Sequence, residues 1–349
     1  HFQPFAGQQQ CQRLAHNAGA ANTDIKGLGH GGIVGAGLGP WARCKIGLAV
    51  QLVIFEEHLR VSFHPDSDLS GTIARLFVYP VKSCAGIEVQ QALLTDTGLD
   101  LDRAWMVVDA EGMFVTQRTL PRMALIRPQL KGDEMVLRAP GMLALHVAID
   151  AVEAPATVTV WRDTVPAWDM GAVAAQWFTD FLGQPCRLVR FDPEYRRLSS
   201  MEWTGGVEAP NQFSDGFPLL LASQASMDEL NLRLQAAGHA AAGIERFRPN
   251  VVLAGVDAHD EDRVDLVRVD AQEGEIHLQP VKPCSRCPIP DIDPATAESN
   301  PSVGDTLRTY RKDQRLDGAI TFGMNAIVRQ GAGQMLRVGQ RVAANLRFD

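Results

Sequence analysis

The 349-residue sequence lacks most of what would place it in several large classes of protein. Six cysteines over this length are too few for a disulfide scaffold, and they suit a reducing cytoplasm in which thiols stay available. Positive charge is in deficit: 33 Lys and Arg against 41 Asp and Glu give a net charge of -8. That balance argues against nucleic acid or an anionic membrane as the main partner. Long apolar runs are missing too. The best, Gly27 to Phe55, is interrupted by Arg43 and Lys45, and the remaining Ile46–Ile54 is far short of the ~20 residues that a span needs. No methionine precedes Met106.

What is present starts late. Up to about Asp68 the chain is rich in Gly, Ala, Gln and His with no sustained period, so residues 1–69 read as a disordered or non-native extension, with a native start expected near Leu69. Gly27-Leu28-Gly29-His30-Gly31-Gly32 matches Gly-x-Gly-x-x-Gly, but the polar Asn22–Lys26 before it is no buried strand. The glycines at Gly35, Gly37 and Gly39 would spoil the helix that must follow.

From Ile73 the pattern is that of short strands. Ile73–Tyr79 stops at Pro80. Ala104–Val108, Met113–Thr116, Met135–Leu137, Leu143–Ile149 and Thr157–Trp161 follow at the spacing of a barrel or sandwich. The spacing predicts a helix over about 172–182, with Val173, Gln176, Trp177 and Phe181 on one face and Gly183 as its stop. A second helix is expected from a capping box Ser226-x-x-Glu229, with Met227, Leu230 and Leu234 as its core stripe. A hairpin around Glu273-Gly274 then leads to Cys284, and Ile320–Phe322 and Ala326–Arg329 read as later strands. The expected fold is mostly β with a few helices (α+β): two β-barrel-like domains, 70–195 and 196–346, with the site between them.

The stretch with the most chemistry is Lys282-Pro283-Cys284-Ser285-Arg286-Cys287-Pro288. A thiolate binds soft metals and attacks electrophiles, and nearby cations such as Lys282 and Arg286 lower its pKa. Arg286 can also fork onto a phosphate. Structural zinc needs a second Cys-x-x-Cys or a His pair, which this chain lacks. A thioredoxin-type dithiol needs a helix that Pro288, Pro290 and Pro294 oppose. One metal-ligating thiolate with cationic anchors, and two ordinary loop cysteines, both stay open on spacing alone. Cys84 and Cys186 read as buried structural residues.

Five motifs fall in one order: Tyr79-Pro-Val-Lys-Ser-Cys, Asp102-Arg103-x-Trp105, Ser214-Asp215, Phe247-Arg-Pro-Asn250 and Cys284-Ser-Arg-Cys287. Together they resemble the MOSC family, named for the molybdenum-cofactor sulfurase C-terminal domain, with its preceding β-barrel domain. The resemblance runs from about Ile73 to Val342 and is strongest to amidoxime-reducing members. It implies a molybdenum cofactor between the domains, with Cys287 on the metal as the catalytic thiolate. Lys82, Ser83, Arg103, Arg248 and Asn250 would hold the pterin and its phosphate. Asp215, Gly216, Ser285 and Arg286 would line the same site, leaving Cys284 beside the ligand.

The chain departs from mitochondrial members at Gly216, where they carry a hydroxyl residue. It departs again at Pro290 and Asp291, where they have two threonines. The implied activity is reduction of N-hydroxylated or N-oxide-type small molecules. The alternative is a sulfur carrier, sulfurtransferase or cofactor-handling protein using a Cys287 persulfide. Pyridoxal phosphate enters as a family-level association alone, because no domain for it is visible. No cysteine follows Cys287 in this sequence, so no iron–sulfur cluster is expected after it, and electrons are expected from a separate protein.

Overall fold

The strand pattern read from the sequence folds into a closed barrel. The computed structural model describes residues 64–347, so the readings made on residues 1–63 lie outside it. Seven strands make the barrel: β1 (Leu69–Val78), β2 (Leu219–Ser223), β3 (Val251–Ala254), β4 (Val264–Ala271), β5 (Gly274–Ser285), β6 (Ala319–Gln330) and β7 (Arg341–Leu346). Their order is β2-β3-β1-β7-β4-β5-β6, and β6 pairs back onto β2 to close the ring. The β2–β3 pair is parallel, and every other pair in the ring is antiparallel. Closure removes the open edges that a sheet of this size would otherwise expose. Alternate residues of these strands, among them Leu76, Val251, Ile276, Leu278 and Ala326, fill the interior.

The rest of the first half packs as a four-stranded sheet of Trp105–Val108, Arg187–Phe191, Asp163–Asp169 and Ala154–Val160, beside a three-stranded sheet of Arg127–Lys131, Glu134–Arg138 and Leu145–Ala148. The described residues also hold three α-helices, α1 (Gly171–Leu182), α2 (Gln224–Ala236) and α3 (Ser302–Arg308), besides shorter strands and 3-10 turns. The protein is therefore mostly β with a few helices.

Several local details differ from the sequence reading. Strand β1 comes from the first half of the chain but is hydrogen-bonded within the barrel of the second, between β3 and β7. Its distal end carries the chain out to Tyr79-Pro80-Val81-Lys82. Helix α1 buries Ala174, Trp177, Phe178 and Phe181. That is an i, i+3, i+4, i+7 stripe, rotated from the expected face and leaving Val173 75% exposed. Gly183 does stop the helix in the left-handed conformation, its N–H donating to Thr179 O.

Helix α2 is capped by Ser223, not Ser226. The Ser223 hydroxyl accepts the Ser226 N–H at 3.1 Å, and Ser226 sits inside the first turn. The expected core stripe of Met227, Leu230 and Leu234 is buried. Ile320–Phe322 and Ala326–Arg329 belong to one strand, β6, which passes Gly323 at φ 73 where a Cβ would lie 2.5 Å from Leu221 O. Residues 113–116 form isolated bridges instead of a strand.

Candidate functional site

A cavity of about 420 Å3 opens where the barrel meets the first half. Its lining includes Lys82, Ser83, Arg103, Asp215, Gly216, Arg248, Asn250, Ser285, Arg286 and Cys287, so all ten residues singled out from sequence are brought to one pocket. Cys284 lines it as well. These residues come from five separate stretches of chain, and backbone pairing brings them together. Lys82 N donates to Trp105 O and Arg103 N to Tyr79 O, which locks the end of β1 against the Asp102-Arg103 turn. Phe213 N donates to Arg103 O, which draws in Ser214-Asp215-Gly216. Strand β5 ends on Cys284-Ser285, and the chain turns at Arg286 into the pocket wall.

Among the pocket residues that hold left-handed backbone with a full side chain are Ser83 at φ 64, Arg103 at φ 53 and Arg248 at φ 58. Such conformations cost about 1–3 kcal/mol each and persist where the surroundings enforce them, commonly at functional sites. Here they aim a hydroxyl and two guanidinium groups at one cavity. Tyr79 is the post between the two arginines. Its buried ring lies 4.4 Å from the Arg103 guanidinium carbon and 4.3 Å from that of Arg248. Gly86 is needed beneath it, because a Cβ there would fall 2.4 Å from the ring. Burial pushes the Tyr79 phenol well above its ordinary pKa, so it stays neutral.

Charge in the lining is one-sided: Lys82, Arg103, Arg118, Arg246, Arg248, Lys282 and Arg286 face a single carboxylate, Asp215. The Lys82 ammonium donates to Phe213 O at 2.8 Å and to Asp215. Burial lowers the Lys82 pKa to about 8 although Asp215 opposes the shift. For Asp215, its protein surroundings push the pKa up, but the Lys82 charge and hydrogen bond outweigh this. Arg118 and the Trp161 N–H add to the effect, so the carboxyl sits below the usual range. Arg103 donates to Asp102 at 2.5 Å, to Asn250 Oδ1 at 3.1 Å and to Arg248 O at 3.1 Å.

Arg248 donates from Nη1 to Cys84 O at 2.5 Å, while its Nη2 is buried without any partner. An orphaned guanidinium nitrogen in a pocket wall marks a place for an acceptor. Burial lowers the Arg248 pKa to about 10, which leaves it charged at neutral pH. The Asn250 amide is spent within the protein: Oδ1 accepts from Arg103 and from Leu220 N, and Nδ2 donates to Phe77 O. Arg286 is also spent, donating to Phe322 O and Phe247 O. It is a clamp that sets the turn before Cys287, not a free fork for phosphate.

The turn after Cys287 is pinned twice more. Arg246 donates to Asp293 at 2.8 Å and to Pro290 O at 3.4 Å. Asp291 is buried and accepts the Gly304 N–H at 2.7 Å, which ties the loop to the first turn of α3. Of the two residues of this loop that depart from the mitochondrial pattern, Pro290 lines the pocket and Asp291 does not. Burial raises the Cys284 pKa, so that thiol is protonated at neutral pH. Cys84 and Cys186 are buried as expected. Among the described residues no three of His, Cys, Asp and Glu converge on one metal-binding position.

The sequence pattern does not single out Arg118 or Trp161, although both line the pocket. Both meet Asp215 at the pocket: the Trp161 N–H donates to Oδ1 at 3.1 Å, and Arg118 stands 3.9 Å from Oδ2. The turn that places Trp161 here shows only in the strand pairing of Val160 with Asp163.

The fold and pocket define a class: a β protein whose barrel and preceding β region close on a cationic cavity bearing a cysteine at a strand-end turn. The MOSC N-terminal beta barrel domain matches residues 70–185, and the MOSC domain matches residues 208–343. The chain belongs to the MOSC family. It is 36% identical over 252 residues to mitochondrial amidoxime-reducing component 1 of Homo sapiens, covering 69% of this chain and 72% of that protein. The counterpart in Mus musculus is 34% identical over 286 residues, covering 78% of this chain and 82% of that protein. The molybdenum cofactor sulfurase of Bos taurus is 29% identical over 278 residues, which is 74% of this chain but 30% of that protein. Among the described residues no helix is long and apolar enough to cross a membrane.

Proposed function

We propose that this protein is a molybdenum-cofactor-dependent oxidoreductase that reduces N-hydroxylated or N-oxide-type small molecules. The observation that carries the reading is the pocket itself. Cys287 shares one cavity with seven cations and one carboxylate, and one guanidinium nitrogen there, Arg248 Nη2, is buried without a partner. Molybdopterin is an anionic dithiolene with a phosphate, so the donor set fits it: cations for the charge and a soft thiolate for the metal.

In this reading Lys82, Ser83, Arg103 and Arg248 hold the pterin and phosphate. Cys287 supplies the protein ligand, and Asp215, Gly216 and Ser285 complete the wall. Asn250 and Arg286 act by holding Arg103 and the Cys287 turn in place. The bound cofactor supplies two-electron chemistry, by which an N–OH group, two electrons and two protons become N–H and water. The electrons come from a separate protein. The names of the amidoxime-reducing relatives support this reaction class.

The test is molybdenum per chain in protein from a host that makes the cofactor, for wild type and Cys287→Ala, followed by benzamidoxime reduction with an artificial electron donor. Near-stoichiometric metal that falls in the variant, with turnover in the wild type, is the expected result. A metal-free wild type would sink the reading. A second reading, sulfur transfer or cofactor handling through a Cys287 persulfide, is favoured by the second thiol, Cys284, in the same cavity. Persulfide transfer that needs Cys287 and proceeds without turnover of N-hydroxylated substrate would put it first.

A further inference from the structure

We propose that Trp161 is a specificity-determining residue of this pocket, its indole a fixed stacking surface for the planar, conjugated part of a substrate. The inference rests on the proposed reductase function for the reaction, but not for the binding. Three observations carry it. Trp161 lines the cavity and is 44% exposed, so packing does not account for a residue of this size at this place.

Its backbone is the second observation. Val160 pairs with Asp163, so Trp161-Arg162 is a two-residue hairpin turn, and Trp161 occupies its first position at φ 58. Glycine or asparagine is the usual occupant of such a position, and a bulky side chain there is strained. The strain brings no burial in return.

The third observation is that the ring is held from several sides. Its N–H donates to Asp215 Oδ1, the same oxygen that accepts from Lys82. The Arg118 guanidinium lies 4.8 Å from the ring centroid, and Phe114 packs at 5.0 Å with the planes tilted by 53°. An indole anchored through its N–H, braced by a cation and an aromatic ring, and still partly open to the cavity is preorganised for stacking. Planar conjugated groups gain from such a surface, and small saturated groups do not.

The test uses the full chain carrying molybdenum, with reduced methyl viologen as donor, and the variants Trp161→Gly and Trp161→Phe. Glycine suits the strained turn, so Trp161→Gly should keep or raise the unfolding temperature. The KM for benzamidoxime should rise about tenfold in Trp161→Gly and stay within about threefold in Trp161→Phe. The KM for acetamidoxime should move less than about twofold in either.

A second measurement does not depend on turnover: binding of benzamidine, which has no N–OH to reduce, by saturation-transfer NMR and calorimetry. It should weaken about tenfold in Trp161→Gly. If the wild type binds benzamidine in a Trp161-dependent manner but reduces no amidoxime, the stacking surface stands and the reductase reading falls. Equal KM shifts for both amidoximes, no binding of benzamidine to the wild type, or binding indifferent to Trp161→Gly would each overturn the proposal.

Discussion

The two walls of the pocket handle positive charge differently. On the wall built from the first half, each cation meets a carboxylate: Lys82 and Arg118 share Asp215, and Arg103 pairs with Asp102. On the barrel wall, Arg248 and Arg286 donate to backbone carbonyls, those of Cys84, Phe247 and Phe322. A carbonyl satisfies the geometry of a guanidinium without cancelling its charge. The uncompensated positive potential therefore sits on the barrel wall, beside the orphaned Arg248 nitrogen, where an anionic group would be held most strongly. Arg246, paired with Asp293, is the exception on that side.

The largest effect should come from breaking the residue that ties the walls together. Asn250 binds Arg103 of one wall and Leu220 N and Phe77 O of the barrel, and it is buried. Asn250→Ala strands these groups and should lower stability by roughly 3–5 kcal/mol, read from the denaturant midpoint. A loss under about 1 kcal/mol would show that the walls are held independently.

The paired wall makes a prediction about pH. The folded pKa of Lys82, lowered to about 8 chiefly by burial, lies below its ordinary 10.5. The unfolded chain therefore binds more protons between pH 8 and 10.5, and this group's contribution to stability rises with pH across that window. At most about 3 kcal/mol separates the two ends. Unfolding of wild type and Lys82→Met at pH 7.5 and 10 isolates it: the difference between the two proteins should shift in favour of the wild type at the higher pH. A pH-independent difference would mean that Asp215 keeps Lys82 charged throughout.

A direct comparison of the walls is Arg248→Gln against Arg118→Gln. Retention of molybdenum on dialysis should fall about tenfold or more in the first and less than about threefold in the second, because charge-assisted bonds to a buried anion are worth more than a rim pair. Equal losses would erase the distinction. The smallest effect is expected at Gly216, where an added Cβ meets nothing within 4 Å. Gly216→Ala should change stability by less than about 0.5 kcal/mol, so any change in substrate preference can be assigned to pocket width.

Much of this was legible beforehand. Cys287, Lys82, Arg103 and Arg248 are marked by the five motifs that together resemble the MOSC family, whereas a strand-end position alone does not separate them from ordinary loop residues. The core stripe of α2 follows from side-chain period alone. Ser223 was missed as a cap because the Ser226-x-x-Glu229 pattern three residues on matched the same rule. The placement of β1 in the barrel was hidden because strand pairing is not local: Leu76 meets Val251 across the intervening sheets. Trp161 was missed because its role depends on the turn it occupies, and a strand pattern does not show where the turn falls.

From the order of residues alone follow the β-rich architecture, the thiol and cations available to a site, and the family to which they belong. Folding settled which of those cations are free. Arg286 is spent on Phe322, 36 residues away, and Arg248 keeps one nitrogen open while the other reaches Cys84, 164 residues away. Hydrogen-bond satisfaction is a property of neighbours in space, and those neighbours exist only once the barrel has closed.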